Sequence, residues 1–184
     1  MGECGFRGGY AELIGFDEDT IYQITKLLSS MLCPNIAGQL LFESYVNPPI
    51  IGDPSFKLYS IEKDQILRSL SNRASMLYKS MQNIPNISIN PVQGAMYAFP
   101  RIFLPENAVS ASLNHSDPIL RIPDVYYCMK LLEETGIVAV PGSGFGQVDG
   151  TWHFRTTILP HEDIFDEFLL RFRQFHIRFL QAHS

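Results

Sequence analysis

Ile164, Phe165, Phe168, Leu169, Phe172, Phe175 and Phe179 fall on one side of a 3.6-residue period near the end of the chain. That spacing predicts a helix, and its aromatic stripe has to be covered. At about 25 cal/mol per Å² removed from water, covering it stabilises a fold by several kcal/mol. The last helix therefore demands a sheet or further helices to pack on.

The rest of the chain offers both. PDVYYCMKLLEETG, residues 123–136, reads as a helix, with Pro123 in its first turn and Gly136 as its C-terminal cap. A long helix is expected over about residues 59–83, ended by Pro85, with Ile66, Leu70, Leu77 and Met81 on one face. Residues 87–104 read as two strands around a Pro-Gln-Gly turn, with Tyr97 and Phe99 suiting a sheet packed on a helix. A short helix is expected near Glu106–Leu113, a short strand ending at Pro141, and a strand over 151–159.

The first third is different. Residues 8–16 are expected to form a short strand, and Asp17 to cap a helix whose apolar face runs from Ile21 to Leu32 before Pro34 stops it. A second helix is expected over 36–46, then a Pro/Gly-rich connection over 47–56. One strand and two helices leave apolar faces open, so this segment is expected to need a partner surface. The domains are accordingly read as 1–56 and 57–184.

Composition excludes several functions. The net charge of −5 and the lack of a basic stripe argue against nucleic acid. No run of 18 apolar residues is present, so no membrane span is expected. Cys4, Cys33 and Cys128 are scattered and odd in number, and read as reduced thiols. No HExxH or CxxC occurs, so no metal site is expected. GSGFG lacks the third glycine and the following helix of a dinucleotide loop.

Two arginines remain. Arg7 lies in G-x-R-G-G, where small neighbours let an anion approach closely, and Arg155 lies on the 151–159 strand. A guanidinium can grip a carboxylate or phosphate through two parallel hydrogen bonds. Spacing alone also allows a surface-loop arginine at 7 and a strand-end ion pair at 155.

GECGFRGGY, NPVQGAMYAFPR, LLEETGIVAVPGSGFGQ and HFRTTILP decide the matter further. In this order they resemble the C-terminal part of alanine aminotransferases, pyridoxal-phosphate enzymes of the aspartate aminotransferase fold type, and the resemblance runs from Met1 to about residue 180. It implies an α/β fold, the C-terminal portion of a fold type I transferase: the end of the large cofactor domain followed by the small domain. It implies that Arg7 holds the cofactor phosphate, with Gly8 and Gly9 allowing the turn beside it. It implies that Arg155 binds the substrate α-carboxylate, with Gly142, Phe145 and Gly146 shaping the loop in front of it. For the intact protein it implies amino transfer from L-alanine to 2-oxoglutarate, giving pyruvate and L-glutamate. Small amino acids and 2-oxo acids are the implied substrates, a homodimer the implied assembly, and the cytoplasm or mitochondrion the implied location.

The resemblance also implies a Schiff-base lysine a few residues before the G-x-R-G-G loop. Only Met1, Gly2 and Glu3 precede Cys4. The 184-residue chain is therefore read as a fragment that is inactive alone, with no catalytic residue of its own. The alternative is a truncated product acting, if at all, as a dimerisation module.

Overall fold

The computed structural model describes residue 5, residues 8–31 and residues 35–184. Arg7, Cys4, Leu32, Cys33 and Pro34 lie outside the described residues. The chain divides into two compact units, Met1–Asp64 and Gln65–Ser184.

In the first unit, helix α1 (Glu18–Leu28) starts at Asp17, whose carboxylate accepts the Thr20 N–H at 2.9 Å. Glu18 and Asp19 stand at its positive end and Lys26 in its last turn. Helix α2 (Ile36–Val46) starts at Asn35. Residues 8–16 form no strand, against expectation; a strand needs a hydrogen-bonding edge, and no described residue pairs with them. No α1 residue is buried, and Leu27, Ile36 and Leu40 are 69%, 70% and 65% exposed. Helix α3 (Phe56–Gln82) carries the chain across the boundary between the units.

The second unit holds the hydrophobic core. Strand β1 (Ile87–Ser88) is followed by β2 (Tyr97–Ala98) and β3 (Arg101–Ile102), helix α4 (Glu106–Leu113), helix α5 (Pro123–Thr135), strand β4 (Val140–Pro141), strand β5 (Trp152–Thr157) and helix α6 (Glu162–Ala182). Every pairing is antiparallel. Tyr97 pairs with Thr157 and Arg101 with His153, so β2 and β3 follow one register along a single edge of β5. The break between them falls at Pro100, which has no N–H to donate but whose carbonyl still accepts from Phe154 at 3.1 Å. β4 takes the other edge of β5, and β1 pairs with β3. The two expected strands on either side of the Pro-Gln-Gly segment are thus present as an antiparallel pair.

Alternation sorts the sheet into two faces. Ala98, Ile102, Phe154 and Thr156 point inward and are buried against Leu77, Met81, Tyr127, Leu131, Phe172 and Phe175. In the aromatic stripe of α6, Phe165, Leu169, Phe172, Phe175 and Phe179 are buried as expected and Phe168 partly so, but Ile164, in the first turn, is 53% exposed. Tyr97 and Phe99 face away from the core, because the register that buries Ala98 turns both neighbours outward.

Inside the core, Tyr127 donates its hydroxyl hydrogen to His176 Nδ1 at 2.8 Å, and His176 Nε2–H donates to the Pro85 carbonyl at 2.9 Å. This pair ties α5 and α6 to the turn after α3. Burial pushes the His176 imidazole down from 6.5 to about 4, with the Pro85 hydrogen bond opposing the shift. The unfolded chain therefore binds the extra proton first. Stability is full above about pH 6.5 and falls as pH drops toward 4, by about 3 kcal/mol from this group. Urea midpoints measured from pH 7 to pH 4 should fall for the native sequence and fall less for His176→Gln. Cys128 is buried beside Tyr127, and burial pushes its thiol up to about 12, so it stays protonated and unreactive.

Candidate functional site

The outward face of the sheet carries Tyr97, Phe99, Arg101, His153, Arg155 and Thr157. The register places Phe99 opposite Arg155. The Arg155 guanidinium carbon sits over the Tyr97 ring, 4.6 Å from its centroid, and 5.0 Å from the centroid of Phe145. The Arg155 guanidinium makes no hydrogen bond or ion pair with a described residue, so the strand-end ion pair that spacing alone allowed is not formed. Aromatic stacking occupies the faces of a guanidinium and leaves its in-plane N–H donors for a ligand.

Phe145 reaches Arg155 from a one-turn 3₁₀ helix, Gly142–Phe145, between β4 and β5. Two glycines shape it. A side chain on Gly142 would strike the His153 carbonyl oxygen at 2.8 Å and Cβ at 2.7 Å, so only glycine lets the loop lie flat on β5. Gly146 ends the turn at φ +68°, in the left-handed region. Phe145 then meets Phe99 edge-on, at a centroid distance of 5.5 Å, and Phe99 stacks on His153 at 5.0 Å.

The charge of this face is positive. Arg101 lies over Phe103 at 4.7 Å, with its buried Nε lacking a partner. Burial first, and the Arg101 guanidinium second, push the His153 imidazole below its ordinary value, so it is neutral at pH 7. Its Nδ1–H donates to Gln147 Oε1 at 3.0 Å, and Gln147 Nε2–H donates to Asp124 at 3.0 Å.

The structure therefore brings Arg155, Gly142, Phe145 and Gly146 together in the second unit. Gly8 and Gly9 lie in the first. Neither adopts the left-handed backbone; a side chain on Gly8 would strike the Gly38 carbonyl oxygen at 2.6 Å, so its bareness lets the segment approach α2. Sequence reasoning missed Tyr97 as a neighbour of Arg155, and missed Asp124, Gln147 and His153. The alternation of residues 97–102 could have found the first; the other three are joined only by tertiary contact.

Among the described residues, no group of three or more His, Cys, Asp or Glu could hold a metal ion, and no helix is long and apolar enough to cross a membrane.

The family model for class I and II aminotransferases matches residues 1–168. The chain belongs to this aminotransferase family. Its α/β architecture is that of the C-terminal portion of a pyridoxal-phosphate-dependent fold type I aminotransferase. It is 51% identical over its whole length to alanine aminotransferase 2-like of Danio rerio and 46% identical to alanine aminotransferase 1 of Homo sapiens. It covers 33% and 36% of those proteins, so it spans about a third of the length of the curated relatives it matches. The solved alanine aminotransferase of Pyrococcus furiosus superposes with a TM-score of 0.61 at 25% identity, covering 88% of this chain and 36% of that one.

Proposed function

We propose that this aminotransferase chain supplies two anion grips, Arg7 and Arg155, to a protein that transfers the amino group of L-alanine to 2-oxoglutarate. The observation that carries the reading is Arg155: an arginine on a strand, lying over the rings of Tyr97 and Phe145, with no counter-ion among the described residues. Such a group is pre-organised for an α-carboxylate. The names of similar proteins, alanine aminotransferases of Danio rerio, Xenopus laevis and Homo sapiens, support the choice of substrate.

Residues 1–56 are the end of the large cofactor domain in this reading, and 57–184 the small domain. Pyridoxal phosphate fits what the first segment presents. Gly5, at φ +90°, and Gly9 each have open space where a side chain would stand. A guanidinium in a glycine-rich sequence is the donor chemistry a phosphate requires. When bound, the cofactor supplies the electron sink that stabilises negative charge at the amino acid Cα. Arg7 would hold the cofactor phosphate. Arg155 would fix the substrate carboxylate with two parallel hydrogen bonds, and so orient the Cα–H bond for proton removal. Tyr97 and Phe145 hold that guanidinium in one orientation.

The five lysines, Lys26, Lys57, Lys63, Lys79 and Lys130, all lie on helices rather than on the sheet face with Arg155. None of the five is assigned as the lysine that binds the cofactor in this reading, and subunits are assigned to pair as a homodimer. The test is pyruvate formation from L-alanine with 2-oxoglutarate, for the 184-residue chain and for the full-length protein. The full-length protein is expected to turn over and the chain alone to be silent. Turnover with another amino donor but not alanine would reassign the substrate; no amino transfer from any donor would remove the reading.

A further inference from the structure

We infer that Asp124 and Gln147 are positioning residues that lock the Phe145 loop against the Arg155 guanidinium and thereby set how tightly that arginine holds a carboxylate. The inference rests on the reading of Arg155 as the substrate grip.

Asp124 is fully buried, at the second position of α5, with no arginine or lysine beside it among the described residues. A buried carboxylate is tolerated when its oxygens are saturated by hydrogen bonds. One oxygen of Asp124 accepts the Val125 N–H at 3.0 Å, within its own helix. The other accepts two donors from the loop: the Ser143 N–H at 2.6 Å and Gln147 Nε2–H at 3.0 Å. These donors flank Phe145 in sequence, so one oxygen pins the loop on both sides of the ring.

The contact then closes on itself. Gln147 uses its own carbonyl oxygen to accept from His153, two residues before Arg155 on β5. His153 stacks on Phe99, Phe99 meets Phe145 edge-on, and Phe145 lies against Arg155. Gly142 leaves no slack at the start of the loop. Asp124 does not approach the guanidinium itself; its influence passes through the loop and the rings.

Replacing Asp124 by asparagine keeps the shape and removes the charge. In one amide orientation an N–H group faces the Ser143 and Gln147 donors and the loop loses its hold; in the other it faces the Val125 N–H, and the loop is left with a neutral, weaker acceptor. In the cofactor-loaded full-length protein, Asp124→Asn is expected to raise the KM for L-alanine about 10-fold, with kcat changed less than about 3-fold. Gln147→Ala should raise KM by a smaller factor, and adding Phe145→Ala to Asp124→Asn should raise it less than the two single effects combined. Affinity for pyridoxal phosphate should not move. A second readout is the Arg155 Nε–H proton resonance. Ring currents from Tyr97 and Phe145 should shift it upfield, and Asp124→Asn and Gln147→Ala should each bring it back toward its ordinary position.

An unchanged KM in folded Asp124→Asn would overturn the inference. So would equal losses in kcat, cofactor affinity and melting temperature, which mark a purely structural role. If Asp124→Asn does not fold, Gln147→Ala decides, and its unchanged KM and resonance would overturn the inference. If the native full-length protein transfers no amino group, the reading of Arg155 as the grip fails. The resonance then decides the positioning alone, and a position insensitive to both substitutions would overturn it.

Discussion

Arg155→Ala in the cofactor-loaded full-length protein is expected to lower kcat/KM for L-alanine by about 10³-fold, the range seen when one partner of a desolvated charge pair is removed. Affinity for pyridoxal phosphate should stay within about 2-fold, because Arg7 and not Arg155 is assigned to the phosphate. Folding should be little affected: the Arg155 guanidinium makes no hydrogen bond or ion pair with a described residue, so its removal strands no partner. Arg155→Lys keeps the charge but loses the planar fork and its contact with the two rings. It should recover only part of the activity, remaining about 10²-fold below the native protein. An ethylamine-type donor without a carboxylate should react equally slowly with the native protein and with Arg155→Ala. Steady-state kinetics with both donors checks this, and a kcat/KM within about 3-fold of native for Arg155→Ala would contradict it.

The second large effect concerns folding of the two units apart. The buried apolar cluster from Leu77 to Phe179 lies entirely in the second unit. The polypeptide Phe56–Ser184, which keeps α3 whole, should fold and unfold cooperatively in urea, with a stability of roughly 5–15 kcal/mol. Residues 1–55 contain one buried described residue in a helix, Gly38, while α1 buries none. That polypeptide should show no cooperative transition, and should aggregate at micromolar concentration through its open apolar faces. Circular dichroism against urea for both pieces is the check. A cooperative transition in residues 1–55 would mean that this segment closes a core of its own.

The elements were legible where local chemistry specifies them. Asp17 caps the helix it precedes, and Pro123 and Gly136 bracket α5 as their backbone preferences require. The strand bearing Arg155 was legible from alternation. What was not legible depends on partners distant in sequence. Residues 8–16 have the composition of a strand, but a strand exists only where an edge receives it. Tyr97 and Phe99 read as core because aromatic residues suit buried sheets; the register against β5 sends them to the opposite face, beneath Arg155. Asp124 reads as an ordinary acidic residue at a helix start. Only the fold brings the Ser143 amide and Gln147 to it across 19 and 23 residues. The role of Arg155 came from the resemblance, since residue type and spacing left an ion pair open.

The most direct test of the account is a crystal structure of the cofactor-loaded full-length protein with L-alanine bound. Both carboxylate oxygens of the amino acid are expected within hydrogen-bond distance of the Arg155 guanidinium, beside Tyr97 and Phe145. A carboxylate held elsewhere, with Arg155 still unpartnered, would contradict it.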